Sequence, residues 1–428
     1  MKVDVDTDVV RAAGARERAV LLILAAVQFT NIVDFMIVMP LGPQLMEKLS
    51  LSPSRFGMIV AAYTISASIA GFFAASFVDW FDRKTAFLSL YIGFLLGTLC
   101  CGLAPDYASL LVARVVTGAF GGVLGGLAMA IIADVFPEER RGGANAALMS
   151  AFAVASVFGV PFGLVLGERF GWHAPFFVLA ALGLFVLPAG ARFLPRLQSH
   201  IAAAATNPLV EIPALLTHPD HLRAFGLVIS LMIGGFAVIP YIATYLVTNV
   251  GVPQPWLPLV YIAGGGITLF TAPLIGKLAD RHGKYRVYRI IAPISAVFML
   301  AATNLPRVPL WVAVTVTACL IVGNSGRMIV AMTMISSCVE PRRRGSFLSL
   351  NSSVQHLAAG LGASLGGWMI GKDAGGALTH YNRVGWVAVV ATLISIAFAA
   401  RLHPYSAAPA TPEDLEEPLM IDVAADLL

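Results

Sequence analysis

The stretch FTNIVDFMIVMP, Phe29 to Pro40, lies inside an apolar run long enough to cross a bilayer, and it carries a carboxylate at Asp34. That run covers about residues 20–41. Working outward, eleven more follow: 57–78, 85–103, 108–134, 146–168, 174–194, 224–249, 256–276, 287–305, 309–335, 347–371 and 384–402. Each can cross roughly 30 Å of hydrocarbon as a helix. The runs are continuously apolar, whereas barrel strands would alternate with a period of two, so they predict an all-α membrane protein with twelve transmembrane helices. Composition agrees: 58% of the 428 residues are hydrophobic and 12% charged, where a soluble domain carries roughly a quarter charged.

The net charge of +4 does not point to nucleic acid, because the basic residues sit in short loops between spans, which is a topology signal. With both termini cytoplasmic, twenty of the 28 Lys and Arg residues fall on the inner side and six on the outer side, with Arg114 and Arg327 inside spans. A mixed-charge segment too long for a signal peptide precedes the first span, which is therefore expected to be retained. Cys100, Cys101, Cys319 and Cys338 lie within or at the ends of spans, without metal-ligand spacing, and read as packing residues. No phosphate-cradling, zinc or dinucleotide motif occurs, so no cofactor and no enzyme activity are expected. GASLG, Gly362–Gly366, matches a hydrolase pattern but sits within an apolar run instead of at a strand-to-helix turn, and reads as packing.

The chain repeats itself. PEERRGGANAALMSAFAVASVFGVPFG (137–163) resembles PRRRGSFLSLNSSVQHLAAGLGASLGG (341–367), matching Arg141 to Arg344, Gly159 to Gly362 and Gly163 to Gly366. FVDWFDRK (77–84) likewise aligns with KLADRHGK (277–284), placing Asp79 over Asp280. The reading is a duplication of six spans: a cytoplasmic segment 1–19, a six-helix bundle 20–194, a connector 195–223, a second bundle 224–402 and an acidic tail 403–428 expected to be disordered.

GKLADRHGKYR, residues 276–286, resembles the loop signature of the major facilitator superfamily. Its N-terminal copy keeps Asp79, Arg83 and Lys84 but has Ala75, Trp80 and Asp82 in place of the pattern's residues. LLVARVVTGAFGG (110–122) resembles the proton-coupled branch's span-four motif, with Thr117 where that motif has Gln. VFGVPFGLVLG (157–167) resembles the Gly-Pro motif of exporters, with Val160 between Gly159 and Pro161. The resemblance covers roughly residues 20–402 and is closest to twelve-helix drug:proton antiporters of the arabinose-efflux-permease type. It implies a major facilitator fold in a bacterial inner membrane and export of small amphiphilic or drug-like molecules against protons by alternating access. It also implies a monomer whose partners are substrate, protons and lipid, with Asp79, Arg83, Arg141, Asp280 and Arg281 latching the cytoplasmic side.

A charge at mid-bilayer costs about 2.5 kcal/mol or more, so it is paired, turned inward or functional. Counting 1.5 Å per residue from the span ends puts Asp34 about 10 Å and Arg114 about 9 Å below the outer surface. The matched depths predict that they face each other. Burial and a neighbouring guanidinium act on a carboxylate in opposite senses, which makes Asp34 a candidate proton carrier and Arg114 its partner. The alternatives are a permanent ion pair or an Asp34 that reaches toward water. Arg327 has no acid in any C-terminal span to meet, and Gln28, Asn31, Gln355 and His356 stand at similar depth. They form a candidate substrate layer, with Arg327 either binding an anionic group or held by carbonyls and amides. His356 alone also reads as helix packing. Tyr241 and Tyr245, four apart after Pro240, offer an aromatic face for a ligand or an interfacial anchor, and Phe35 faces either substrate or lipid.

Overall fold

In the computed structural model, residues 5–77, 80–198, 215–340 and 343–405 are described. The chain is almost wholly helical. The first half comprises α1 (Val5–Ile37), a short α2 (Gly42–Lys48), α3 (Pro53–Phe77), α4 (Arg83–Leu103), α5 (Tyr107–Val135), α6 (Glu138–Val154), α7 (Val160–Phe170) and α8 (Ala174–Phe193). The second half comprises α9 (Pro219–Tyr245), α10 (Leu257–His282), α11 (Lys284–Thr303), α12 (Leu310–Ser337), α13 (Arg344–Met369) and α14 (Tyr381–Ala400). A two-residue hairpin, Gly371–Lys372 with Leu378–Thr379, joins α13 to α14. The helix α9 begins inside the stretch read as connector. Most of that stretch and the acidic tail lie outside the described residues.

Among the described residues, eleven helical segments are long and apolar enough to cross a membrane. The expected twelfth, α13, is an unbroken 26-residue helix but is not one of the eleven. Its first half carries Asn351, Ser352, Ser353, Gln355 and His356, which lower its hydropathy. That polarity is tolerated because this half of α13 lies against α3 and α9. Conversely, Phe185, Phe270, Trp311 and Trp368 stand out from the bundle. On a membrane-spanning chain these are lipid contacts, as an aqueous surface would not carry so many large apolar side chains.

Local chemistry sets the helix ends. Asp82 caps α4 by accepting from the Thr85 N–H at 3.0 Å, and Asp106 caps α5 in a reciprocal box with Ser109. Gly283, in the loop signature, ends α10 at φ +91°, a left-handed conformation that favours glycine. Between α6 and α7 the chain widens into a π-helical turn, Ala155–Gly159, just before Pro161. Proline removes a backbone donor there, and the widened turn absorbs the break.

The two ends of the bundle differ. At the end away from the chain termini, one buried cluster draws on both halves, combining Ile37, Phe56 and Val60 with Tyr241, Ile242 and Ala363. Backbones touch there: a methyl built on Gly57 would lie 2.7 Å from the Ala363 carbonyl, and one on Gly367 would lie 2.6 Å from the Pro53 carbonyl. Gln254 of the second half donates to Glu168 of the first at 2.8 Å. At the terminus-bearing end, methyls built on Gly142, Gly143, Gly276 or Gly345 meet nothing within 4 Å. The buried cluster spans both halves at one end, and at the other each half has its own.

Candidate functional site

Asp34 on α1 and Arg114 on α5 meet. Arg114 Nη1 donates to Asp34 Oδ2 at 2.6 Å and also lies 3.4 Å from the Asp34 carbonyl oxygen. Thr98 of α4 donates to the other carboxylate oxygen at 3.1 Å. The pair is 0% and 1% exposed. A charge-assisted contact of this length is strong, and an ion pair this deep depends on its partners because neither charge has water to fall back on.

A second layer holds the pair. The Arg114 guanidinium lies over the Tyr63 ring of α3, 4.5 Å from its centroid, within the range where a ring face attracts a cation. The Tyr63 hydroxyl donates to Asn31 Oδ1 at 3.2 Å, and Asn31 Nδ2 donates to the Gly121 carbonyl at 2.8 Å. Nε of Arg114 has no hydrogen-bond partner among the described residues. Glycine makes this arrangement possible on α5: a methyl on Gly121 would sit 2.6 Å from the Tyr63 hydroxyl, and one on Gly118 would collide with the Tyr63 carbonyl.

Around this core, the Phe35 ring lies tilted against Tyr63 with centroids 5.2 Å apart and meets Phe236 of the second half at 6.0 Å. Phe35 therefore lies between the halves, not against lipid. Gln28 lies near Gly125, 3.6 Å from a methyl built there, on the helix-facing side of α1. Gln355 of α13 reaches toward Met328 of α12, and His356 beside it is half-buried.

In the second half, Arg327 on α12 is 0% exposed. Its Nη1 donates to Thr392 at 2.9 Å, and its Nη2 and Nε donate to Asn324 Oδ1 at 2.8 and 3.3 Å. Neutral oxygens hold this cation, and no carboxylate meets it among the described residues. A Tyr288–Ser395 hydroxyl pair, 2.7 Å apart, links α11 to α14, the helix that also supplies Thr392. Tyr241 and Tyr245 are turned into packing: their hydroxyls donate to the carbonyls of Ala363 at 2.6 Å and Leu305 at 3.0 Å. The structure thus does not bring these two tyrosines into the layer that holds Asn31 and Phe35.

Of the loop residues, Asp79 lies outside the described residues. Arg83 contacts Asp134 at 3.2 Å, and Arg141 donates to the Phe136 carbonyl at 2.9 Å. Asp280 and Arg281 are exposed. A further bond that the sequence reading missed ties Arg140 to Glu17 through both nitrogens, at 2.8 and 3.0 Å. Tyr63 and Thr98 were also missed. Tyr63 carried a usable signal, since six residues into the run that opens at 57 put it about 9 Å deep, a depth comparable with Asp34. Thr98 carried none, a lone threonine in an apolar helix being commonplace.

A family model described as the Major Facilitator Superfamily matches residues 24–268 and 229–421. Among curated proteins, the chain is 26% identical to an uncharacterized MFS-type transporter, YtbD, of Bacillus subtilis strain 168, over 87% of this chain and 93% of that one. It is also 26% identical to the inner membrane transport protein YdhP of Escherichia coli K12, covering 85% and 92%. Among solved structures, a bacterial homolog of the human lysosomal transporter Spinster, inward-facing and unoccupied, superposes with a TM-score of 0.75 at 18% identity, covering 92% of this chain and 99% of that one. A D-xylose–proton symporter gives 0.73 at 17% identity, covering 90% and 96%. At such identities the structures speak for the fold alone.

Proposed function

The chain belongs to the Major Facilitator Superfamily as a membrane-spanning transporter, and from that premise we propose that it is a proton-coupled exporter of small amphiphilic molecules in a bacterial inner membrane. The observation that carries this reading is the Asp34–Arg114 contact, 2.6 Å long and sealed from solvent. Asp134 and Glu168 stand exposed at span ends, whereas Asp34 is buried within its span, so Asp34 is the group placed to take a proton there. Protonation removes the carboxylate's charge and frees the guanidinium, and the pair re-forms when the proton leaves on the other side. With the terminus-bearing end read as cytoplasmic, the separate buried clusters there support an inward-open form. In the opposite form the latch set Asp79, Arg83, Arg141, Asp280 and Arg281 closes that end. Phe35, Phe236, Asn31 and Gln28 supply a mixed apolar and amide lining suited to an amphiphile.

Proton-driven uptake of a fluorescent amphiphile into inverted vesicles tests this reading. Asp34→Asn is expected to abolish uptake driven by a proton gradient; uptake equal to wild type would remove the reading. A second reading, transport of an organic anion, is favoured by the carboxylate-free setting of Arg327. Under it, Arg327→Ala abolishes uptake of carboxylates and spares that of neutral amphiphiles.

A further inference from the structure

Resting on the proton-coupled reading, we propose that Tyr63 is a positioning residue that carries the charge state of the Asp34–Arg114 pair to the contact between the two halves. The helix α3 shows different partners on adjacent residues. Toward the first half, the ring of Tyr63 lies under the Arg114 guanidinium and its hydroxyl is tied to Asn31. Toward the second half, the next residue, Thr64, is buried against α13, where a methyl built on Gly360 would lie 2.7 Å from its hydroxyl. One turn further, Ser68 donates to the Ser353 carbonyl of α13 at 2.7 Å. A single helix therefore touches the ion pair with one side chain and the opposing half with the next.

The direction of the effect follows from charge. While Asp34 is ionised, its carboxylate and the tyrosine face hold the guanidinium from two sides. A proton on Asp34, taken from bulk water when the sealed pair opens to it, removes one of them, and the cation shifts on the ring that remains. Because α3 is clamped to α5 at Gly118 and Gly121, a shift of Arg114 on α5 is passed to α3 as a small displacement against α13. Packed helices respond to such displacements in discrete steps and not by yielding continuously. The titratable groups facing the pair are Tyr63 from α3 and Cys101 from α4, whose sulfur lies 3.6 Å from the Thr117 hydroxyl.

The test needs no substrate. Spin labels are placed, through a non-canonical amino acid, at Glu139 and Lys277, exposed positions at the open end of opposite halves. Their distance is measured in proteoliposomes across pH, and infrared difference spectra follow the Asp34 carboxyl in the same samples. Wild type is expected to shift its distance distribution as the carboxyl titrates. Tyr63→Leu loses the distance shift and keeps the carboxyl titration, and Tyr63→Phe, which preserves the ring, keeps both. Gly121→Ala, which pushes on the Tyr63 hydroxyl without touching Asp34 or Arg114, loses the shift as Tyr63→Leu does and covers the case in which Tyr63→Leu does not fold. A wild-type shift in Tyr63→Leu or Gly121→Ala, or full loss in Tyr63→Phe, overturns the inference and leaves the proton reading standing. A carboxyl that never titrates overturns both.

Discussion

Each half of the molecule buries an arginine, and they are solvated in opposite ways. Arg114 is matched by a carboxylate at 2.6 Å, whereas Arg327 is held by an asparagine oxygen and a threonine hydroxyl. The first arrangement can change its net charge by binding a proton, and the second keeps its charge throughout. Under the proposed reading, the carboxylate that switches charge belongs to the first half. The difference also predicts opposite costs of mutation, since breaking a buried pair strands a charge, while removing a lone cation strands only neutral groups.

The largest expected effect is at the pair. Arg114→Met leaves Asp34 buried and unmatched and should destabilise the protein by about 3–5 kcal/mol, read as a lowered thermal midpoint in detergent. Adding Asp34→Leu should restore most of the loss while leaving proton-driven transport absent. Arg327→Met should cost at most about 1–2 kcal/mol, because neutral hydrogen bonds alone are broken. A cost equal to that of Arg114→Met would break the comparison.

The two ends of the bundle sharpen it. Gly367→Ala inserts a methyl against the Pro53 carbonyl and the Tyr241 hydroxyl, and should penalise the observed form by about 1–3 kcal/mol, shifting label distances toward the opposite opening. Gly142→Ala, a change inside α6 that meets nothing within 4 Å, should leave the label distances unchanged and raise stability by about 0.5–1 kcal/mol through helix propensity.

A comparably small effect lies at a carboxylate outside the spans. Burial would raise the pKa of Asp82, but the N–H groups of Thr85 and Leu197, with the Thr85 hydroxyl and Arg196, outweigh it and hold it below the ordinary carboxylate value. A depressed folded-state value means its contribution is present above the unfolded pKa and is lost as pH falls through the folded one. Asp82→Ala should cost about 1 kcal/mol near neutrality, and that difference from wild type should vanish in melts at strongly acid pH.

Much of this architecture is legible in the sequence because the bilayer imposes a length and a polarity on each span. The depth match of Asp34 and Arg114 needed only rise per residue. The helix α13 was legible as an element, yet its hydropathy sits below that of the other spans because it is shielded by α3 and α9, which only packing shows. Tyr241 and Tyr245 show the converse limit. Spacing placed them on one face, but whether that face meets a ligand or a backbone carbonyl depends on how close α13 and the chain at Leu305 come. The close approach of α10 to the π-helical turn before Pro161 is of the same kind: a methyl on Gly265 would lie 3.2 Å from the Ser156 carbonyl. Such close approaches between distant segments leave no periodic trace in the chain.

The central claim is that Asp34 exchanges a proton within its sealed contact to Arg114. Infrared difference spectra of the reconstituted protein, recorded as pH is lowered, test it most directly. The account predicts a protonated-carboxyl stretch that grows with acid in the wild type and is missing in Asp34→Asn. The same band persisting in Asp34→Asn, or no such band in the wild type at any pH where the fold survives, would contradict it.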